Sequence, residues 1–299
     1  MNGVYHVEDP KPNTDAAGAF QRAASSIRDT IEGPIDPNRY HLFLAVNCPW
    51  AHRAWLMVTL KKAQISKSFA APKRTDQGWV FEPQGRFSDP LFGYQTLHQL
   101  YATHDSYTGR ITVPVLYDKN AGRLINNESA DILRILNAGL EGPDFYPEDL
   151  QNDINTWNDK IYPKLNNGVY RAGFARKQEA YDAAVAEVFE MLDEIEHHLS
   201  THRYLCGDQL TEADIRLFPT LVRFDVGYHS AFKCNKRRLI DYPNLWAYGR
   251  ELYQMDGVAE TVDFDIYRRG YNSQSELRNP LGIIPIGPDN DWTAPHKRG

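Results

Sequence analysis

The stretch Tyr40-His41-Leu42-Phe43-Leu44-Ala45-Val46-Asn47-Cys48-Pro49-Trp50-Ala51 decides the fold of this chain. Residues 40–46 form a compact apolar run that is rich in β-prone residues, which is typical of a buried strand. Pro49 suits the first position of a helix. Apolar residues at helical spacing then continue to about Lys62. The sequence therefore predicts a strand that leads into a helix, with Cys48 at the junction.

The rest of the first half continues an α/β pattern. After a second apolar stretch, residues 72–110 lack a sustained period and contain many Gly, Pro and Asp residues, which predicts a long loop. Residues 111–117 predict a strand with Pro114 at an edge or at its start, where a cis bond is possible. A short strand at 123–125 and a helix at 128–136 follow. The order strand, helix, strand, loop, strand, strand, helix is thioredoxin-like.

The second half is predicted to be all-α beyond a Gly/Pro-rich connector at residues 138–150. Apolar residues from Tyr181 to Leu199 recur every three or four positions, so they share one face of a long helix. Thr211-Glu212-Ala213-Asp214 is predicted to be a helix capping box, and a further helix is expected after Pro243. The tail from residue 261 is expected to be irregular but apolar enough to pack back on the domain.

These patterns predict a fold that is α/β and then all-α, in four parts. They are an N-terminal arm at 1–39, a thioredoxin-like domain at 40–138, a helical domain at 150–260 and a C-terminal tail at 261–299. A length of 299 residues fits two modest domains, and 42% hydrophobic residues suffice for a core.

Charge and cysteine content exclude several function classes. A net charge of −6 gives no basic field that would attract nucleic acid or an anionic membrane. Three cysteines are too few for a disulfide scaffold and favour a reducing compartment. No signal peptide or apolar run of ~18 residues is present, so a soluble, cytoplasmic protein is expected. The histidines at 197, 198 and 202 lack an acidic or cysteine partner, so no metal is expected.

Cys48 is the leading candidate for a catalytic residue. A cysteine at a helix N-terminus faces unpaired N–H groups and the positive end of the helix dipole, which favour the thiolate. The position three residues on is Ala51, so no second cysteine can close a local disulfide. This favours a cycle through a mixed disulfide with an external thiol. A buried structural cysteine is the alternative, and His52 either tunes Cys48 or is structural.

A second candidate site is the helix start at Glu128 and Ser129, with Val113-Pro114 upstream. Free N–H groups at a helix start can bind a carboxylate, and an adjacent glutamate can pair with an ammonium group. The γ-glutamyl end of glutathione carries both groups on one carbon. A backbone segment before a cis-proline can pair with the extended peptide of glutathione. Taken alone, Glu128 and Ser129 are more often a plain helix cap.

With these features together, the chain resembles the glutathionyl-hydroquinone reductases, the Xi-class glutathione transferases. The resemblance covers residues from about Gly18 to Pro288. It is carried by Cys48-Pro49-Trp50-Ala51-His52-Arg53, Gly78-Trp79, residues 109–116, 126–129, 167–175, 205–207, 210–218, 232–235 and 241–245, and the Asn-Pro-x-Gly-Ile-x-Pro-x-Gly-Pro ending at 279–288.

The resemblance implies a homodimer and a reaction in which Cys48 takes glutathione from a glutathionyl-hydroquinone and a second glutathione then releases it as oxidised glutathione. It implies glutathione-binding positions at Trp79, Arg110, Val113, Glu128 and Ser129. It implies a hydroquinone pocket at Tyr170 and Tyr271. The family has a His-Tyr-Tyr cluster in its tail and a further histidine upstream. This chain has Gly270-Tyr271-Asn272 and Ile266 there, which leaves the second substrate open.

Three alternatives stay open at the level of sequence. A general glutathione-dependent thiol transferase or dehydroascorbate reductase would need Cys48 but not the Tyr170 and Tyr271 pocket. An aryl-ether-cleaving glutathione transferase would fit an altered tail. A non-catalytic glutathione-binding module usually replaces the catalytic residue, so the intact Cys48 motif argues against it.

Overall fold

The structure is a computed structural model that describes residues 5–6, 13–104 and 107–298. By their packing these residues divide into two compact units. The first unit contains residues 24–144 with Tyr5 and His6, and the second contains residues 13–23 and 145–298. None of the helices described is both long and apolar enough to cross a membrane.

The first unit is a four-stranded sheet with helices. Its elements are β1 (Tyr40–Ala45), α1 (Pro49–Leu60), β2 (Ser66–Ala70), α2 (Leu97–Ala102), β3 (Val115–Asp118), β4 (Arg123–Asn126) and α3 (Ser129–Gly139). The strand order is β2-β1-β3-β4, with β1 parallel to β2 and antiparallel to β3. All six residues of β1 are buried, as its apolar run predicts. The predicted thioredoxin-like α/β half is confirmed.

Two predictions about this unit are wrong in detail. The loop expected over residues 72–110 contains α2, which Thr96 and Gln99 begin as a reciprocal capping box. This helix is six residues long, too short to produce a sustained apolar period. The strand expected over 111–117 starts only at Val115, directly after the cis bond between Val113 and Pro114. Proline has no N–H to give to a ladder, so it precedes the strand.

The second unit is helical, which confirms the prediction for this half. Its main elements are α4 (Gln151–Ile161), α5 (Gly168–Phe174), α6 (Gln178–His198), α7 (Glu212–Arg223), α8 (His229–Ala231), α9 (Pro243–Tyr253) and α10 (Phe264–Tyr271). Two π-helical segments, Tyr162–Asn166 and Phe224–Tyr228, lead into α5 and α8. The apolar face predicted for α6 is buried at Val188, Leu192 and Ile195.

The predicted capping box at the start of α7 is confirmed. The Asp214 carboxylate accepts hydrogen bonds from the backbone N–H and the hydroxyl of Thr211, at 2.8 and 3.0 Å. It also accepts from the backbone N–H of Leu205 and from the hydroxyl of Tyr248. Complete burial raises the pKa of Asp214. The cap therefore also ties the loop before α7 to α9.

The tail departs from its prediction in two ways. It contains α10, where Asp263 caps the helix by accepting from the N–H of Ile266 at 3.0 Å. The later apolar residues Leu281, Ile283 and Ile286 are 80%, 68% and 93% exposed, so they do not pack back on the domain. The tail is held instead by backbone carbonyls and by one ring. Arg268 donates to the carbonyl of Ile286, and Trp292 packs on Trp246, Tyr253 and Phe264.

Candidate functional site

Cys48 is the N-cap residue of α1 and is half-buried. Its backbone carbonyl accepts the first helical hydrogen bond, from the N–H of His52 at 3.0 Å. Its Sγ lies 3.7 Å from the carbonyl oxygen of Val113, the residue before cis-Pro114. The structure therefore places a thiol between a helix N-terminus and the backbone segment before Pro114. His52 is buried, and its ring lies 6.1 Å from that of Trp55.

Side chains that the sequence did not single out support the segment before Pro114. The Tyr101 hydroxyl donates to the carbonyl of Thr112 at 2.8 Å and accepts from Nδ2 of Asn127 at 3.1 Å. The hydroxyl of Tyr107 donates to the carbonyl of Arg110 at 2.7 Å. Complete burial raises the pKa of Tyr101 to about 12, so its hydroxyl stays protonated at neutral pH. These bonds fix the backbone that faces the Cys48 thiol.

The start of α3 brings Glu128 and Ser129 together. Glu128 is the N-cap residue, and its carboxylate accepts from the N–H of Ala130 at 3.2 Å. The same carboxylate accepts from the hydroxyl of Ser25 at 3.0 Å. Ser129 is buried, and its hydroxyl accepts from Nη1 of the buried Arg53 at 3.3 Å. Glu128 thus caps α3, and Arg53 joins α1 to the start of α3.

Trp79 and Arg110 lie on the segments between β2 and β3. The N–H of Leu97 donates to the Trp79 carbonyl at 2.9 Å, which fixes the tryptophan backbone beside α2. The guanidinium of Arg74 lies 5.1 Å from the centroid of the Trp79 ring. Burial lowers the pKa of the Arg74 guanidinium, which the charge of Arg110 lowers further and that of Cys48 raises. Arg74 is a positive group of this region that the sequence analysis missed.

The other two cysteines differ from Cys48 in their surroundings. Burial raises the pKa of Cys206 to about 11 and that of Cys234 to about 12. Both thiols therefore stay protonated at neutral pH. A protonated thiol is a poor nucleophile, so neither Cys206 nor Cys234 is a candidate nucleophile. Among residues 5–6, 13–104 and 107–298, no group of three or more His, Cys, Asp or Glu side chains could hold a metal ion.

In the second unit, Tyr170 and Tyr271 are in direct contact, as part of an aromatic cluster with Phe174, Tyr228 and Phe232. The hydroxyl of Tyr271 lies 3.0 Å from that of Tyr170 and 3.2 Å from that of Tyr228. Burial raises the pKa of Tyr228 and of Tyr271 well above the usual value. The three hydroxyl groups therefore form a hydrogen-bonded chain, in which Tyr228 and Tyr271 stay neutral.

Two glycines allow the rings of the aromatic cluster to approach the backbone. A Cβ on Gly173 would lie 2.3 Å from the Phe232 ring, and one on Gly227 would lie 2.8 Å from the Tyr271 ring. Both distances are too short for carbon atoms that are not bonded. Gly173 and Phe232 lie in the sequence motifs at 167–175 and 232–235, which by themselves indicate no packing role, and Gly227 lies in neither. Their helical segments carry no local signal for ring packing.

Ile266, Gly270 and Asn272, which the resemblance marks as departures in the tail, lie in and just after α10. Ile266 is buried on this helix. Asn272 directly follows α10, and its side chain accepts from the Ser230 hydroxyl at 3.1 Å and donates to the Arg268 carbonyl at 2.9 Å. Asn272 therefore anchors the end of α10, while Tyr271 next to it stays within the aromatic cluster.

Both halves of the chain match models of known protein families. Residues 47–138 match the family model of the glutathione S-transferase N-terminal domain, and residues 178–248 match that of the C-terminal domain. The first match begins one residue before Cys48 and ends within α3. It therefore includes every candidate site residue of the first unit.

Individual proteins are similar over nearly the whole length. Glutathionyl-hydroquinone reductase YqjG of Escherichia coli is 46% identical, over 100% of this chain and 97% of that protein. Glutathionyl-hydroquinone reductase PcpF of Sphingobium chlorophenolicum is 43% identical, over 91% of each. The glutathione-bound structure of YqjG superposes with a TM-score of 0.86 at 45% identity, covering 100% of this chain and 98% of that one. The Xi-class structure from Natrialba magadii gives 0.88 at 39% identity, covering 98% of both chains.

Proposed function

The chain belongs to the Xi-class glutathione transferases, the family of the glutathionyl-hydroquinone reductases, and we propose that it removes glutathione from glutathionyl-hydroquinones. The observation that carries the proposal is the placement of Cys48. Its Sγ stands at the N-terminus of α1, 3.7 Å from the Val113 carbonyl that precedes cis-Pro114. A glutathione sulfur paired with this segment would meet the thiol directly.

The first step is attack by the Cys48 thiolate on the sulfur of the conjugate. A sulfur–sulfur bond forms between Cys48 and glutathione, and the bond between sulfur and the aromatic carbon breaks. The electron pair of the broken bond stays on the ring carbon, which takes up a proton. The product is the free hydroquinone, and Cys48 is left in a mixed disulfide.

The second step restores the enzyme. The thiolate of a second glutathione attacks the glutathione sulfur of the mixed disulfide. Glutathione disulfide leaves, and the electron pair returns to Cys48 as its thiolate. No second cysteine of the chain is required, in keeping with Ala51 at the position three residues after Cys48.

Glutathione would be held by groups at the start of α3 and by the segment before Pro114. The N–H groups at the start of α3 and the Ser129 hydroxyl would bind the γ-glutamyl carboxylate, and Glu128 would pair with the ammonium group. The Val113 backbone would pair with the cysteinyl part. Trp79 and Arg110 would contact the remainder, and Tyr170 and Tyr271 would bind the hydroquinone oxygen and ring.

Intact-mass spectrometry tests the nucleophile. The protein is incubated with glutathionyl-menadiol in the absence of free glutathione, and one added glutathione is expected on Cys48. The Cys206→Ala variant is the matched control, because Cys206 is half-buried like Cys48 but its pKa is raised to about 11. Cys206→Ala should still gain one glutathione and Cys48→Ala none. Addition to Cys48→Ala would overturn the assignment.

A comparison of two substrates separates the proposal from a general thiol transferase. Turnover is measured with the glutathionyl-menadiol conjugate and with a small mixed disulfide of glutathione. The Tyr170→Phe/Tyr271→Phe double variant should lose turnover of the conjugate and keep that of the disulfide. Equal loss of both would instead favour a general transferase whose aromatic cluster is only structural.

We also propose that the protein is a homodimer and is located in the cytoplasm. The dimer is what membership of the family implies, and the cytoplasm suits a cycle that consumes reduced glutathione. Sedimentation equilibrium over a range of concentrations tests the dimer, and a monomer at all concentrations would contradict it. Fractionation of the source cells tests the location.

A further inference from the structure

Arg278 packs against the aromatic cluster of the second unit. The carbon at the centre of its guanidinium lies 4.5 Å from the centroid of Phe174 and 5.5 Å from that of Phe232. The side chain is only partly exposed. A guanidinium can stack on a ring by one face and still direct its N–H groups sideways. Arg278 therefore places five donors at the edge of the aromatic cluster.

The donors of Arg278 have no acceptor in the part of the chain that the structure describes. Its side chain makes no hydrogen bond or ion pair there, and its Nε is buried. The charges that act on it come from Arg176, which is also positive, and from Tyr170. Burial and the charge of Arg176 lower the pKa of Arg278. A buried donor without an acceptor is costly, and an anionic group beside it would remove that cost.

Backbone and side-chain bonds hold Arg278 in this position. The next residue, Asn279, donates through Nδ2 to the carbonyl of Asn272 at 2.6 Å and to that of Ile283 at 2.9 Å. Its backbone also pairs with Ser275 in both directions, at 2.9 and 3.1 Å. The turn at 275–279 is thus fixed to the end of α10. These hydrogen bonds hold the backbone at Arg278 in place, and the side chain of Arg278 packs on the rings from this fixed position.

A second guanidinium lies on another member of the same cluster. The central carbon of Arg22 is 5.0 Å from the centroid of the Tyr170 ring, and its Nε donates to Oδ1 of Asn167 at 2.7 Å. Two arginines thus stack on the rings of the aromatic cluster from separate parts of the chain. If an aromatic ligand contacted these rings, the guanidinium groups of Arg22 and Arg278 would lie close to the edge of the ligand.

We propose that Arg278 binds a carboxylate carried on the aromatic ring of the second substrate, so that the preferred substrates are glutathionyl-hydroquinones with an anionic ring substituent. The inference rests on the proposed function and names the substrate class of the same site. A guanidinium can bind a carboxylate through two parallel hydrogen bonds. The ring of such a substrate would pack against the aromatic cluster while its carboxylate accepts from Arg278.

The test compares two conjugates that differ in one group, a glutathionyl-hydroquinone with and without a ring carboxylate. The native protein should show a kcat/KM about tenfold higher for the carboxylated conjugate, as expected for one charge-assisted pair. Arg278→Met should abolish this preference and leave the KM for free glutathione unchanged. Arg278→Lys should retain part of it, because it keeps the charge but not the two-pronged geometry. Arg269→Met, which changes an exposed arginine paired with Asp265, is the control and should behave as the native protein.

Two results would overturn the inference. One is equal kcat/KM for the two conjugates in the native protein, and the other is an Arg278→Met variant whose main defect is a higher KM for glutathione. Inhibition of the native protein by 2,5-dihydroxybenzoate, relative to unsubstituted hydroquinone, gives a measurement that needs no variant. The carboxylated compound should inhibit about tenfold more strongly, and equal inhibition would count against Arg278. Failure of both conjugates to react at all would contradict the proposed function itself.

Discussion

The two candidate regions of this protein are built by different physical means. In the first unit, Cys48, Glu128 and Ser129 stand at the starts of α1 and α3, and the segment before Pro114 faces the thiol. Here the useful groups are backbone N–H groups, carbonyls and helix ends. In the second unit, the aromatic cluster consists of ring side chains from α5, from the segment around α8 and from α10.

This difference indicates which substitutions each region can tolerate. A helix start keeps its N–H groups whatever the neighbouring side chains are, so the first region depends on few residue types. The aromatic cluster depends on the volume of every ring and on the glycines that make room for them. The residues that the resemblance marks as departures, Ile266, Gly270 and Asn272, all belong to the second unit. We therefore expect the two regions to respond differently to substitution.

The largest effect is expected for Cys48→Ala, which should remove activity without unfolding the first region. Turnover of a glutathionyl-hydroquinone should fall by about 10³-fold or more, because the covalent step loses its nucleophile. The free energy of unfolding should change little, since Cys48 is only half-buried. Steady-state kinetics and urea unfolding measure the two quantities. Residual activity above a tenth of the native value would refute the mechanism.

The next largest effect is expected for the pH dependence of stability, through His41 on β1. His41 is buried between Ser66 and Ser68, at 2.7 and 2.8 Å, and Ser68 donates to Asp89 at 2.7 Å. Burial lowers the pKa of His41 to about 4, against about 6.5 in the unfolded chain. The unfolded state therefore binds more protons between these values. His41 therefore makes its full contribution to the free energy of unfolding above about pH 6.5. This contribution is lost as the pH falls towards 4.

Urea unfolding at several pH values checks this expectation. Relative to His41→Gln, the native protein should lose about 3 kcal/mol of unfolding free energy between pH 6.5 and 4. Taking the difference between the two proteins removes the contributions of the other titrating groups to the unfolding free energy. His197→Gln, at an exposed position, is the control and should follow the native curve. Parallel curves for the native protein and His41→Gln would show that His41 is not buried in its neutral form.

A substitution in the aromatic cluster should act mainly on stability. Gly173→Ala would place a Cβ 2.3 Å from the Phe232 ring, and overpacking of this kind costs about 2 kcal/mol. Thermal unfolding should show the loss. Adding Phe232→Leu should recover part of it, because the smaller side chain frees the space. An unchanged melting temperature for Gly173→Ala would mean that the ring moves aside without cost.

The smallest effect is expected for Tyr101→Phe, which removes one hydroxyl behind the first region. The Thr112 carbonyl and the Asn127 amide each lose a buried partner. A loss of about 1 kcal/mol in the free energy of unfolding follows, with a modest rise in the KM for glutathione. Thr103→Val is a comparison variant, because among the described residues its hydroxyl bonds only to the Leu100 carbonyl of α2. A KM that rises equally in both variants would show that the segment before Pro114 does not need Tyr101.

Much of the first region could be predicted because its signals are local. The apolar run of β1, the Cys48-Pro49 junction and the helix start after Asn127 are each readable within a few residues. The placement of Pro114 before the strand could also be predicted, because a residue without an N–H cannot donate a hydrogen bond to the β-ladder. The helix α2 was missed because six residues give too little periodicity. Its signal was present in Thr96 and Gln99, which form the capping box.

The aromatic cluster could be predicted only in part. A family resemblance indicates Tyr170 and Tyr271, but their contact at 3.0 Å joins residues 101 positions apart. Tyr228 and Arg278 carry no local signal, since a tyrosine in a helix or an arginine in a turn is ordinary. The same holds for the apolar tail residues. Their hydrophobicity predicts burial, but the bonds that hold the tail involve its backbone carbonyls and leave Ile286 exposed.

The sequence by itself determined the α/β and all-α halves, the thiol at a helix start and the cap of α3. These follow from backbone geometry, helix-end hydrogen bonding and the period of apolar residues, all of which act over short distances along the chain. Only the tertiary structure decided which rings meet around Tyr271, where glycines make room for them and which arginines lie on their faces. Those contacts join distant residues, and close packing selects them by shape, which no local pattern encodes.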